Sequence, residues 1–289
     1  MSELVSSLDR VAELPAADRA PKLVEIGQQV VAGHANGNSN AAAGRWIDLT
    51  VNLLGEAVGS GRDRLVLGEI LGKLGDPRIH STADADYWVT IPSDTGTVTI
   101  GRFPVTNSEY RGWCESGGYG DETAWSPEGL AWRDACEDAW PMRADAEGSE
   151  PFVIANQPVV GVTWFEADAF ARAHGARLPH ADERVWVIRG RERRPYPWGS
   201  PFGEGNANTR EEVLGRPCAV GLYPRDRTPE GVYDLAGNAA EWTQDMVGTG
   251  RLIHPGAWDQ PSMAAWAKAL SIESPDSRWA GLGFRLARD

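Results

Sequence analysis

Cysteine is scarce in this chain. Cys114, Cys136 and Cys218 are the three in 289 residues, and none forms a Cys-x-x-Cys pair. An odd count without that spacing argues against a disulfide framework and points to reduced thiols in a cytoplasmic protein, with one Cys114–Cys136 bridge as the alternative. Basic charge is short as well: 28 Lys and Arg stand against 41 Asp and Glu, a net charge of −13. A surface of that sign is unsuited to nucleic acid, whose phosphates call for cations, and to anionic membrane surfaces. No stretch approaches the roughly 20 apolar residues of a membrane helix. The polar start Met1-Ser2-Glu3-Leu4 has no basic region followed by an apolar run, so no signal peptide is expected. Histidine is sparse too. His34 is alone among the first 79 residues, and His80, His174, His180 and His254 lack the spacing of a metal site.

Tryptophan is abundant, with 13 copies; most are expected in the core, each with an N–H that needs a partner. Residues 1–80 read as a helical element. Leu4, Leu8, Val11 and Leu14 share one helix face, and Leu23, Ile26 and Val30 continue the pattern after Pro21. A small polar stretch, 33–44, reads as a loop. Helices over 46–58 and 62–74 follow, closed by Gly75-Asp76-Pro77. The phrase 67–78 resembles the end of one HEAT-like repeat; a single copy cannot form a solenoid, so a helical cap or docking element is expected, one that docks to another subunit.

From Tyr87 on, Gly, Pro and Trp punctuate short segments. Thr97 to Phe103 alternates as a strand. Thr106-Asn107-Ser108-Glu109 and Thr163-Trp164-Phe165-Glu166 are capping boxes that open two helices. A third helix is expected from His180 to Ile188, and a closing strand over 282–286. By pattern the second unit is α+β.

Six motifs stand in order: Gly101-Arg102-Phe103-Pro104-Val105-Thr106-Asn107; Gln157-Pro158-Val159 through Ala167; Arg177-Leu178-Pro179; Tyr196-Pro197-Trp198-Gly199; Gly231-Val232-Tyr233-Asp234-Leu235-Ala236-Gly237-Asn238 through Trp242; and Gly283-Phe284-Arg285. The series resembles the formylglycine-generating enzyme (sulfatase-modifying factor) family over residues 84–289. The resemblance implies an irregular α+β domain of C-type-lectin-like topology. It also implies that Trp125, Trp132, Trp140 and Asn156-Gln157-Pro158 lie in an insertion found in bacterial members, often fused to signalling or repeat modules.

The family's copper enzymes bind the metal through two cysteines, which correspond here to Gln260 and Ala265. Copper(I) needs thiolate or thioether ligands, and these residues supply neither. The preceding family motif reads His254-Pro255-Gly256-Ala257-Trp258, and a further family tryptophan is Ala240. Met263 is a lone thioether, ordinarily a packing residue. Formylglycine-generating activity is therefore not expected, and neither copper nor iron. The iron-dependent sulfoxide synthases of related branches take their metal from a His-rich N-terminal helix that this chain lacks. By resemblance, Asp234, Gly237, Ala239 and Glu241 match the family's second calcium site, whose oxygen ligands suit Ca²⁺; the alternative is that both carboxylates bond neighbouring backbone N–H groups. A first calcium site at Asn208 and Thr209 would be cut short by the following loop. The basic run 189–194 reads as a solvated turn, or as a site for a phosphate or acidic peptide.

Bacterial variable proteins of this family, diversified by retroelements, place mutable residues in the interval corresponding to 259–281, with a pattern that includes a Pro-Asp-x-Arg matched by Pro275-Asp276-Ser277-Arg278. That correspondence makes Trp258, Asp259, Gln260, Met263, Trp266, Lys268, Ser271, Glu273 and Trp279 the expected ligand contacts, with Ser274, Ser277 and Ala280 exposed beside them. Trp266 and Trp279 are the expected anchors for a protein or peptide partner. The reading is a non-catalytic binding module in a bacterial signalling or defence assembly. The alternative is an oxidase or oxygenase with non-standard ligands, such as His254 with Asp259 or Glu273.

Overall fold

The computed structural model describes residues 2–35, 40–56, 58–94, 96–136 and 148–289. Trp140, expected in the insertion, lies outside them. The described residues of the N-terminal element form four helices: α1 (Ser2–Val11), α2 (Ala16–Ala35), α3 (Asn40–Gly55) and α4 (Gly61–Leu74). α2 runs through Pro21 and ends at Ala35, and α3 begins at Asn40, so both helices extend into the stretch read as a loop. Proline inside α2 forfeits one backbone bond, which burial offsets: Leu23, Ile26, Val30 and Trp46 are buried in one cluster. The Trp46 indole donates to the Leu23 carbonyl at 2.8 Å. Ser60 caps α4 and Asp63 reaches back to it.

This element is not a separate body. Its apolar cluster continues into Cys218, Ala219, Leu222 and Tyr223 of the C-terminal unit. A Cβ at Gly68 would come within 2.8 Å of the Ala219 methyl, so glycine there allows α4 to approach. The Asn156 amide bonds the Gly68 carbonyl at 3.0 Å and Asp76 Oδ2 at 2.8 Å, and Arg216 pairs with Glu69. The helices thus dock on their own chain.

Among the described residues, the C-terminal unit holds two small sheets and four α-helices. β1 (Trp88–Pro92), β2 (Thr97–Gly101) and β7 (Ala287–Arg288) form one sheet in that order. The second sheet is ordered β5 (Ser271–Glu273), β4 (Gly250–His254), β3 (Ala240–Val247) and β6 (Leu282–Gly283), with β3 and β6 parallel. Of the expected closing strand 282–286, only Leu282–Gly283 is strand; β7 follows it and serves the other sheet. Helices α5 (Asn107–Glu115) and α7 (Trp164–Ala173) open on the two capping boxes: Thr106 N–H donates to Glu109 Oε2 at 2.8 Å, and Thr163 N–H to Glu166 Oε2 at 2.8 Å. α6 (Pro127–Ala135) and α8 (Ala181–Arg189) complete the set. Tyr110, Trp164, Phe170, Trp242 and Phe284 are buried in the principal core, and the Trp242 indole donates to the Val162 carbonyl at 3.0 Å. All three cysteines are free thiols. Among the described residues no helix is long and apolar enough to cross a membrane.

Candidate functional site: a pinned C-terminal segment over a closed ionic centre

Beneath the C-terminal segment sits a buried charge cluster. Glu241 on β3 is fully buried and accepts from Arg184 Nε of α8 at 2.7 Å and from Arg285 Nη2 at 2.8 Å. Arg285 also donates to the carbonyls of Gly101 (3.0 Å), Tyr233 (2.7 Å) and Asp234 (3.2 Å). Burial alone would raise the Glu241 pKa, but the two guanidinium groups outweigh it and hold the carboxyl at about 2. His254 pairs with Glu241 across β3 and β4. It is fully buried, with Nε2 on the Trp266 carbonyl at 3.1 Å. Burial, aided by Arg184, pushes its pKa well below the ordinary value, so the ring is neutral. His254 is thus sealed inside the fold, whereas Asp259 and Glu273 are half-buried.

The turn 234–239 packs on this centre. Asp234 adopts the left-handed region, φ 54°, and its Oδ2 accepts from Gly221 N–H at 2.8 Å. Asp226 beside it accepts from the N–H groups of Leu235, Ala236 and Gly237. Burial and the Asp234 carboxyl push Asp226 up to about 8, and burial pushes Asp234 to about 6. Gly237 lies against backbone: a Cβ there would be 2.5 Å from the Asn208 carbonyl oxygen. Asn238, φ 72°, receives Cys218 N–H at 2.9 Å and donates to the Cys218 carbonyl at 3.1 Å.

These residues fit an internal hydrogen-bond frame better than a calcium cage. Both Glu241 oxygens accept from arginine, Asp234 accepts from Gly221, and the Gly237 carbonyl accepts from Ala239 N–H. No group of three His, Cys, Asp or Glu among the described residues has metal-binding geometry. At the first family site, Asn208 Nδ2 bonds Asn238 Oδ1 and the Arg216 carbonyl.

The segment above is tied at intervals. The Trp258 indole donates to the Ala280 carbonyl at 2.9 Å, Arg210 N–H to the Gln260 carbonyl at 3.0 Å, and Ser262 N–H to Glu211 Oε1 at 2.8 Å. Further along, Trp164 N–H reaches the Pro275 carbonyl at 2.9 Å, and Arg278 reaches buried Glu166 at 3.2 Å while lying over the Trp132 ring. Arg278, the last residue of the Pro-Asp-x-Arg motif, is therefore an anchor.

Between the ties, Met263 (76% exposed), Trp266 (46%) and Lys268 stand out of the surface. The other expected contacts do not: Trp258, Asp259, Gln260, Ser271, Glu273 and Trp279 are half-buried, as is Ser277, expected exposed beside them. Trp279 packs against the principal core and Trp258 lies by Phe152, ring centres 5.9 Å apart. Burial raises the Asp259 pKa. Ser274 and Ala280 are exposed as expected.

Sequence reasoning missed four exposed apolar residues of the same region: Met246, Val247, Leu270 and Ile272. Leu270 and Ile272 alternate across Ser271, a strand signal too short to read without β4 as its partner. A Cβ at Gly250 would meet Ile272 Cγ2 at 2.4 Å, so the absent side chain seats Ile272 on the sheet. A shallow groove of about 1000 Å³ runs beside it, lined by Trp186, Arg189, Arg193, Leu252, Lys268 and Leu270, with the His180–Asp245 contact (3.1 Å) at its wall. Two arginines of the basic run thus join Lys268 on one surface.

Comparison with known proteins agrees with this architecture. The family model described as the sulfatase-modifying factor enzyme 1-like domain matches residues 92–289. Hercynine oxygenase of Mycolicibacterium smegmatis is 34% identical over 164 residues, 53% of this chain and 38% of that protein, so the chain spans well under half of that relative. The inactive C-alpha-formylglycine-generating enzyme 2 of Bos taurus is 26% identical over 294 residues, 85% of this chain and 92% of that protein. Among solved structures, PvdO from Pseudomonas aeruginosa superposes with a TM-score of 0.50 at 20% identity, covering 70% of this chain and 90% of that one, a likeness of fold.

Proposed function

The chain belongs to the sulfatase-modifying factor enzyme 1-like family, and we propose that it serves as a non-catalytic binding module on that scaffold, recognising a protein or peptide segment through the surface around β4 and β5. One observation carries the reading. Of the seven large hydrophobic side chains exposed among the described residues, six fall within 246–272, and only Val213 lies elsewhere. Side chains of this kind, held out by a backbone pinned on both sides, offer contact area at little ordering cost. Trp266 is the anchor, flanked by Met263, Leu270 and Ile272; the groove beside it mixes Arg189, Arg193 and Lys268 with Asp94, Asp182, Glu183 and Asp245, charges of both signs for polar contacts at the rim. The inactive relative supports a scaffold that persists without catalysis, and unpaired thiols suit a reducing compartment. A bacterial signalling or defence assembly is the proposed setting.

The test is hydrogen–deuterium exchange on the full chain, with and without a peptide selected against it from a random display library. Protection is expected across 263–272. Protection confined to another surface would overturn the reading.

The similarity to hercynine oxygenase favours a second reading, a metal-dependent oxygenase. Its measurement is oxygen uptake after loading with iron(II) or copper. Uptake that His254→Ala abolishes would establish it; no uptake is expected, because His254 is sealed from solvent.

A further inference from the structure

Outside that surface, a groove of about 470 Å³ opens where the helical element meets the C-terminal unit. Its lining has three arginines, Arg78, Arg102 and Arg227, together with His80, and no carboxylate. In a chain of net charge −13, such a concentration of cations is unlike the surface as a whole.

Each guanidinium is positioned while keeping donors free of partners among the described residues. Asp76 holds Arg78 from behind through Nε (2.9 Å) and Nη2 (2.6 Å), leaving Nη1 unbonded. Arg102 is fixed by the Asp86 carbonyl on Nε (3.0 Å) and the Gly231 carbonyl on Nη1 (3.3 Å), leaving Nη2. Arg227 is exposed and spends only Nη1, on the Tyr233 hydroxyl at 3.0 Å. The Arg227 guanidinium lies 5.5 Å from the Tyr233 ring centre, and Phe103 packs on Tyr233 at 5.2 Å. Val51 and Gly55 of α3 supply part of an apolar wall.

We propose that this groove binds a small organic anion, with a phosphate or carboxylate head on the guanidinium groups and an apolar or planar body against Phe103 and Tyr233. Guanidinium groups donate to such oxygens in charge-assisted pairs, the aromatic rings give the body a face to lie on, and the volume is that of a small-molecule site. Because α3 and the 77–80 linker contribute to the lining, an occupant bridges the helical element and the C-terminal unit.

The test is titration calorimetry of the full chain with phenyl phosphate, benzoate, inorganic phosphate and phenol. One of the two ring-bearing anions binds at least about tenfold more tightly than either inorganic phosphate or phenol, and which one does so identifies the head group. Arg227→Ala, at an exposed residue whose side-chain hydrogen bond and ring contact are both with Tyr233, weakens that binding by about tenfold with an unchanged melting temperature; Arg102→Ala weakens it as well. Absence of binding by every probe, or binding unaltered in both variants, overturns the proposal. Inorganic phosphate binding as tightly as phenyl phosphate overturns the assignment of an organic ligand.

Discussion

Glu241 and Trp266 belong to the same corner of the fold and have opposite fates. Around Glu241 both carboxylate oxygens meet arginine, His254 is neutral and capped by a carbonyl, and the 234–239 turn spends its polar groups on neighbouring backbone. Around Trp266 the backbone is tied as well, yet Met263, Trp266, Leu270 and Ile272 keep large parts of their side chains exposed. The contrast separates two duties that an active site would combine. The interior carries the cost of buried charge to fix one geometry, and the surface carries exposed apolar area on top of it.

The comparison breaks most readily at its centre. Glu241→Ala leaves two buried guanidinium groups without their carboxylate, and a loss of about 3–5 kcal/mol in urea unfolding is expected; a loss below about 1 kcal/mol would mean the cluster is not a structural hub. Gly237→Ala is next. Its Cβ collides with the Asn208 carbonyl, so roughly 1–3 kcal/mol should be lost, read the same way.

Acidity sharpens the picture. Asp226 and Asp234 titrate at about 8 and about 6 in the fold, above the ordinary value near ~3.9. The folded state therefore holds protons that the unfolded chain releases. Their contribution is complete below pH ~4 and is lost as pH rises through the two folded values. Glu241 acts in the opposite sense, but its contribution is lost only as pH falls toward about 2. A lower melting temperature at pH ~8.5 than at pH ~5.5 is expected, by an amount equivalent to about 1 kcal/mol or more. An increase would show that the pair is ionised in the native state. Millimolar calcium should leave the melting temperature unchanged, since both Glu241 oxygens and Asp234 Oδ2 are engaged; a calcium-dependent rise would place a cation at that turn.

Local chemistry made part of this legible in the sequence. The Thr106–Glu109 and Thr163–Glu166 boxes act over three residues, and both helices open there. The apolar spacing of Leu23, Ile26 and Val30 likewise marks a helix face that is buried. The hub was hidden because Arg184 and Arg285 lie 57 and 44 residues from Glu241. From the motif alone, Glu241 looks equally like a cation ligand and an ion-pair partner. That Trp279 is half-buried against the core is not legible in the sequence, because nothing local tells an aromatic leaning on the core from one leaning into solvent. Strand β5 has three residues and exists only by pairing with β4, so Ile272 could not be placed on a face beforehand. The arginine groove needs α3, the linker and the 221–233 loop together, which no single stretch of sequence displays.

Most direct is a calorimetric titration of the display-selected peptide into the wild type and into Trp266→Ala. With Trp266 as a surface anchor, the variant melts as the wild type does, within about 0.5 kcal/mol, while its Kd rises about tenfold or more. An unchanged Kd in a variant that folds normally would contradict the account.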